Sequence, residues 1–162
     1  MNKIKIEIKW AIIFSITLLV WMVLEKMVGL HSQHIDKHMI YTNFFAIPAI
    51  AIYVFALRDK RKNFYNGVMT YKQGFIAGII ITVIVAVLSP LTQYIISVYI
   101  TPEYFPNVID YVVSHGEMTQ EAAEKQFNLK NYILMGFISA LLMGLITSAV
   151  VAIFTRKKIS AE

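Results

Sequence analysis

Four long runs without a charged residue divide the chain, and short charged clusters separate them. The first run, residues 10–24, lies between Lys9 and the pair Glu25-Lys26. It holds about 15 residues, short of the ~20 that a membrane-spanning helix needs. Ile4, Ile6 and Ile8 before it and Met27 to Leu30 after it extend the helix, while Lys9 and Lys26 snorkel. The second run, 38–57, stops at Arg58-Asp59-Lys60-Arg61-Lys62. The third begins after Lys72 and stays uncharged until Glu103. Some 30 residues at ~1.5 Å each outrun a ~30 Å hydrocarbon core, so this helix must tilt, kink or emerge. The fourth run, 131–155, ends at Arg156-Lys157-Lys158. The pattern predicts a single all-α, polytopic membrane domain with four spans, near 8–28, 38–57, 73–97 and 131–155.

Between the third and fourth spans, 102–129 reads as a short helical segment. Pro102 or Pro106 can open a helix from its first position. Val108, Ile109, Val112 and Val113 then form an apolar face that stops near Gly116. Thr119 is placed to cap a second helix from Gln120, with Glu121 in its favourable first turn. At the other end of the chain, Lys3, Lys5 and Lys9 before an apolar run resemble a signal peptide. No small-x-small cleavage site follows, and the expectation is an uncleaved first span.

Composition agrees with a bilayer: 57% of residues are apolar and only 15% charged, against about a quarter charged in soluble domains. A charge at mid-membrane costs at least ~2.5–3.5 kcal/mol, which explains the clustering. Lys and Arg divide eleven to four between the two sides of the predicted topology. The basic side holds both termini and the middle loop, so the positive-inside rule makes it cytoplasmic. Seven of the ten acidic residues fall on the other, outer side. Trp10, Tyr41, Tyr53, Tyr71, Tyr99, Tyr132 and Phe154 lie near span ends, where aromatic rings favour the headgroup region. The net charge of +5 does not point to nucleic acid, because the basic residues flank apolar spans and form no surface stripe. The absence of cysteine excludes disulfide and thiol chemistry.

Small residues recur every fourth position in two spans. Gly74, Gly78, Thr82 and Ala86 lie on the third, and Gly136, Ala140, Gly144, Ser148 and Ala152 on the fourth. Four-residue spacing keeps each set on one face, where backbones can approach closely. The two spans are therefore expected to pack antiparallel along these ladders, within one chain or across a homodimer. Pro48 and Pro90 each remove a helical hydrogen bond, freeing the carbonyls of Phe44 and Ala86. Such breaks build sites in transporters, but a packing kink is the simpler reading.

Candidate chemistry is sparse. No ionisable residue lies deep within a span, which argues against proton-coupled transport and intramembrane proteolysis. His31, His34 and His38, spaced i, i+3, i+7 in the first outer loop, would share a face of a helix, and imidazole suits Zn²⁺ or Cu²⁺. A short polar loop at the membrane surface is the simpler reading, no fourth ligand stands out, and no cofactor or metal is called for. Arg58, Lys60, Arg61 and Lys62 can attract anionic lipid headgroups at about 1 kcal/mol each.

With the spans placed, the chain resembles the domain-of-unknown-function family 4199 of small bacterial integral membrane proteins. The resemblance rests on Gly67 and Tyr71-Lys72-Gln73-Gly74-Phe75-Ile76-Ala77-Gly78. It continues through Ile100-Thr101-Pro102-Glu103-Tyr104, Gly116-Glu117-Met118-Thr119-Gln120-Glu121 and Gly144 to Arg156-Lys157-Lys158. It implies an inner-membrane protein of about four helices and supplies no catalytic residues. The expectation is a non-enzymatic scaffold or accessory subunit, with membrane lipids and a membrane-protein partner or second copy around it. The alternative is a small transporter or channel that uses the proline-kinked spans.

Overall fold

The computed structural model describes residues 4–157. Lys3 and Lys158, counted above on the basic side, lie outside the described residues. Helices follow in the order α1 (Lys5–Met27), α2 (Ile35–Tyr41), α3 (Ala46–Asn63), α4 (Tyr71–Ile95), α5 (Tyr104–Ser114), α6 (Gln120–Gln126) and α7 (Leu129–Thr155). A 3₁₀ turn, Thr42–Phe45, joins α2 to α3, and a π-helical turn, Ile96–Ile100, prolongs α4. Four helical stretches are long and apolar enough to cross a membrane: Lys5–Met27, Ile35–Asn63, Tyr71–Ile100 and Leu129–Thr155. Large apolar side chains such as Ile16, Val20, Val87, Leu142 and Phe154 are exposed around the bundle. Water would not tolerate so continuous an apolar surface on a monomer; hydrocarbon does.

α4 packs against α1, α3 and α7, and α3 also meets α1 and α7. The closest approach is between α4 and α7. A Cβ built on Gly78 would stand 2.5 Å from Ser148 Oγ, and one on Gly144 would stand 2.5 Å from Thr82 Oγ1. One on Gly74 would meet Ala152 Cβ at 3.5 Å. Gly74 thus faces Ala152, Gly78 faces Ser148 and Thr82 faces Gly144, each step four residues on in α4 and four back in α7. Ala86 is buried as well. At Gly136 the helices have parted, since a Cβ there would meet nothing within 4 Å. Continuing the register would set Pro90 opposite Gly136, so the ladder opens beside the proline.

The seam carries its own hydrogen bonds. The Thr82 hydroxyl donates to the Gly78 carbonyl (3.0 Å) and lies 2.8 Å from the Tyr53 hydroxyl. The Ser148 hydroxyl donates to the Gly144 carbonyl at 2.6 Å. Tyr53 is buried and forms a plug at mid-bundle, ringed by α1, α4 and α7. Pro90 is accommodated locally: the Ser89 hydroxyl donates to the Ala86 carbonyl (2.8 Å), the group that the proline was expected to free. Pro48 falls in the first turn of α3, directly after the 3₁₀ turn Thr42–Phe45.

The end that carries residues 58–62 is tied closed. Thr70 caps α4 in a capping box with Gln73. Met69 and Lys157 exchange both backbone hydrogen bonds (3.0 and 2.9 Å) in an isolated β-bridge. Arg61 donates to the Thr155 carbonyl at 2.8 Å, satisfying a C-terminal group of α7. Lys9 pairs with Asp59, which also accepts from the Trp10 indole at 2.7 Å.

Lys60 departs from the lipid-facing role expected of it. It is buried, 2.8 Å from the buried Glu7, with its ammonium over the Phe64 ring. The reason is helical phase: residue 60 follows Tyr53, Ala56 and Leu57 on the inward face of α3. Arg58 and Lys62 remain exposed.

Candidate metal centre and the cavity beside it

At the opposite end of α1, the last turn turns a carboxylate inward. Glu25 and Glu7 are 18 positions apart, five turns at ~3.6 residues each, so they share a face of α1. After α1 the chain reverses through Gly29, whose φ of 77° favours glycine. Backbone bonds from Leu30 to the Glu25 carbonyl (3.0 Å) and from His34 to the Gly29 carbonyl (2.9 Å) hold this turn. The turn carries His31 back over Glu25, and α2 then delivers His38 one helical turn after its start.

Glu25 and His31 are each only 3% exposed, and His38 is 19% exposed. Both imidazole Nε2 atoms aim at the same carboxylate oxygen, Glu25 Oε2, at 3.1 Å from His31 and 3.4 Å from His38. One donor atom from each of the three residues falls within 4.8 Å of the other two. The remaining oxygen, Glu25 Oε1, accepts from the Trp21 indole one turn earlier. The Tyr104 hydroxyl lies 3.4 Å from His38 Nδ1 and 3.2 Å from the Tyr132 hydroxyl. Asn107 donates to the His31 carbonyl at 2.9 Å, so α5 fixes the backbone of the turn. His31 Nδ1 is buried and has no hydrogen-bond partner.

Burial raises the Tyr104 hydroxyl pKa far above the ordinary tyrosine range, and the neighbouring Tyr132 and Glu25 add to it. Tyr104 is therefore a neutral hydroxyl at any physiological pH. It can donate to His38 or to Tyr132 without introducing a second negative charge beside Glu25.

Two adjoining spaces between the spans lie beside this cluster. A space of about 310 Å³ is lined from all four spans, with Tyr53 at its floor and Ser15, Asn43, Gln93 and Thr147 among its polar groups. A second space of about 310 Å³ has His31, His38, Tyr104 and Tyr132 in its wall and shares Leu18, Thr42 and Gln93 with the first. Gly136 and Ala140 line the lower space, which is where the missing half of the α7 ladder leads. The π-helical turn Ile96–Ile100 and Thr101 contribute to the upper wall. Its wide backbone ring is closed by Thr101 N–H donating to the Ile96 carbonyl at 2.7 Å.

The family model DUF4199, described as a protein of unknown function, matches residues 9–157. The chain belongs to the DUF4199 family. No curated protein and no solved structure matches it. In this DUF4199 chain the three histidines of the first loop separate. His31 and His38 converge on Glu25, whereas His34 is exposed at the N-terminus of α2. His115 is also exposed, bonded within α5 to Tyr111. The i, i+3, i+7 spacing assumed a continuous helix, but α2 begins at Ile35, and the preceding turn rotates His34 away. In the sequence Glu25 marks only a span boundary. The available signal was its 18-residue phase with Glu7, which marks both as inward-facing.

Proposed function

We propose that this protein is a non-enzymatic accessory subunit of a bacterial inner membrane that holds a small, mainly apolar ligand in the space between its spans. Both termini and the 58–62 segment then face the cytoplasm, and α5–α6 cover the outer mouth. The eleven-to-four division of Lys and Arg supports this orientation. The observation that carries the reading is the cavity itself, bounded by every span and floored by the Tyr53–Thr82 hydrogen bond. Ligand sites in helical bundles are apolar chambers with a few placed polar groups. Here those groups are hydroxyls and amides, Ser15, Asn43, Gln93 and Thr147, which bind by hydrogen bonds and do not exchange protons near neutral pH. Native mass spectrometry of protein extracted in mild detergent tests the proposal. A co-purifying molecule that Gly136→Leu displaces supports it; a bare chain before and after the substitution refutes it.

A transporter is the second reading, favoured by one observation: the cavity lies where Pro90 separates α4 from α7. Solute flux in reconstituted vesicles that Gln93→Leu abolishes would favour transport over holding.

A further inference from the structure

We propose that Glu25, His31 and His38 bind a divalent transition-metal ion, Zn²⁺ foremost, beside the space between the spans. This goes beyond the ligand-holding role and does not depend on it. The donor set is two imidazole nitrogens and one carboxylate oxygen, which suits Zn²⁺ and its first-row neighbours and disfavours Ca²⁺ and Mg²⁺.

Spacing is the first argument. Bonds of ~2.0–2.1 Å in a tetrahedral shell place ligand atoms about 3.3–3.4 Å apart. The two Glu25–imidazole separations are already 3.1 and 3.4 Å. The histidine–histidine separation, within 4.8 Å, needs at most about 1.4 Å of closure, within reach of small rotations of His38, the least buried of the three. The second argument is direction. Both imidazole Nε2 atoms converge on one carboxylate oxygen, Glu25 Oε2, so the three ligand atoms face one another across a short gap. A cation among the three atoms replaces both bonds with coordination and uses the lone pair of each ligand.

The surrounding shell is of the kind that fixes metal ligands. Trp21 orients the carboxylate through its other oxygen, and the Tyr104 hydroxyl faces the second nitrogen of His38. His31 has its second nitrogen buried without a partner. With Nε2 on the ion, that second nitrogen would carry the ring's proton. Three protein ligands leave a fourth position, and the space beside both histidines, with Gln93 and Thr101 in its wall, offers room for it. The ion would tie the end of α1, the Gly29 turn and α2 into one unit.

Equilibrium dialysis of the full chain in mild detergent, stripped with chelator and exposed to micromolar Zn²⁺, tests the site. About one ion per chain is expected, unchanged in His34→Ala and at least tenfold weaker in His38→Gln. Absence of binding at micromolar zinc overturns the proposal, and so does undiminished binding by His38→Gln. Glu25→Gln should also lose the ion. Should that buried substitution prevent folding, Co²⁺ in the wild-type chain decides. Intense visible absorption of a four- or five-coordinate site supports the assignment; the weak spectrum of hydrated Co²⁺ refutes it.

Discussion

The two ends of α1 each bury a glutamate on the same helix face, and they satisfy it in opposite ways. Glu7 meets Lys60, a cation on α3 with no lone pair to offer. Glu25 meets His31 and His38, which carry lone pairs and make no obligatory charge. The surroundings differ in the same sense. Around Glu7 the bundle is closed by the glycine seam, the Met69–Lys157 bridge and the Arg61 cap. Around Glu25 the helices part, a π-helical turn widens α4, and about 310 Å³ adjoins the histidines. One buried carboxylate is thus part of a clasp, and the other stands at the edge of a chamber. A buried charge identifies neither a structural nor a functional site by itself; its partner's chemistry does.

Substitutions can break this contrast, beginning at the clasp. Lys60→Met leaves Glu7 buried without its cation, and loss of one partner of a buried pair costs about 3–5 kcal/mol. Thermal unfolding in detergent should show it, and adding Glu7→Gln should recover part of the loss. A full loss that the second substitution leaves untouched would mean that the pair is not the clasp. Next, Gly144→Leu forces a side chain into Thr82 and should cost about 1–3 kcal/mol or more by overpacking; an unchanged melting temperature would contradict the seam.

Effects should be smaller on the chamber side. Tyr104→Phe removes the hydroxyl shared by His38 and Tyr132 and should cost about 1 kcal/mol near neutral pH. Because the folded state binds the Tyr104 proton more tightly, this stabilisation is complete below the unfolded value of ~10 and is lost as pH rises above it. The wild type should therefore weaken above pH ~10 more steeply than Tyr104→Phe; parallel curves would reject the assignment. Smallest of all, Gly136→Ala should be neutral or gain up to about 0.5–1 kcal/mol, since helix propensity improves where there is room. A loss there would show that the ladder closes along its whole length.

Hydrophobic runs are legible because a bilayer imposes one simple rule on length and charge. All four apolar helices, the capped start of α6 at Thr119 and the arrest of α5 before Gly116 follow from such local rules. Small-residue spacing likewise marks the faces that meet at Gly78 and Ser148. Spacing along one helix carries no information about where its neighbour bends away, so Gly136 was grouped with Gly144. Lys60 was hidden by its company: four charged neighbours make 58–62 look uniformly solvated, although helical phase turns one member inward. The cluster at Glu25 needed the Gly29 turn, a tertiary feature that places residues 25, 31 and 38 together while excluding 34.

The seam between α4 and α7 also sets an order of events during synthesis. The glycine face of α4 is complete by residue 82, but its partner face ends only at Thr155, after the π-helical turn, α5 and α6. At about 5–20 residues per second, the roughly 55 residues from Thr101 to Thr155 take ~3–11 s to emerge. Over that interval Gly74 and Gly78 have no α7 face to meet. Among the described helices α7 follows all the others, and its small-residue face is the one that closes over α4.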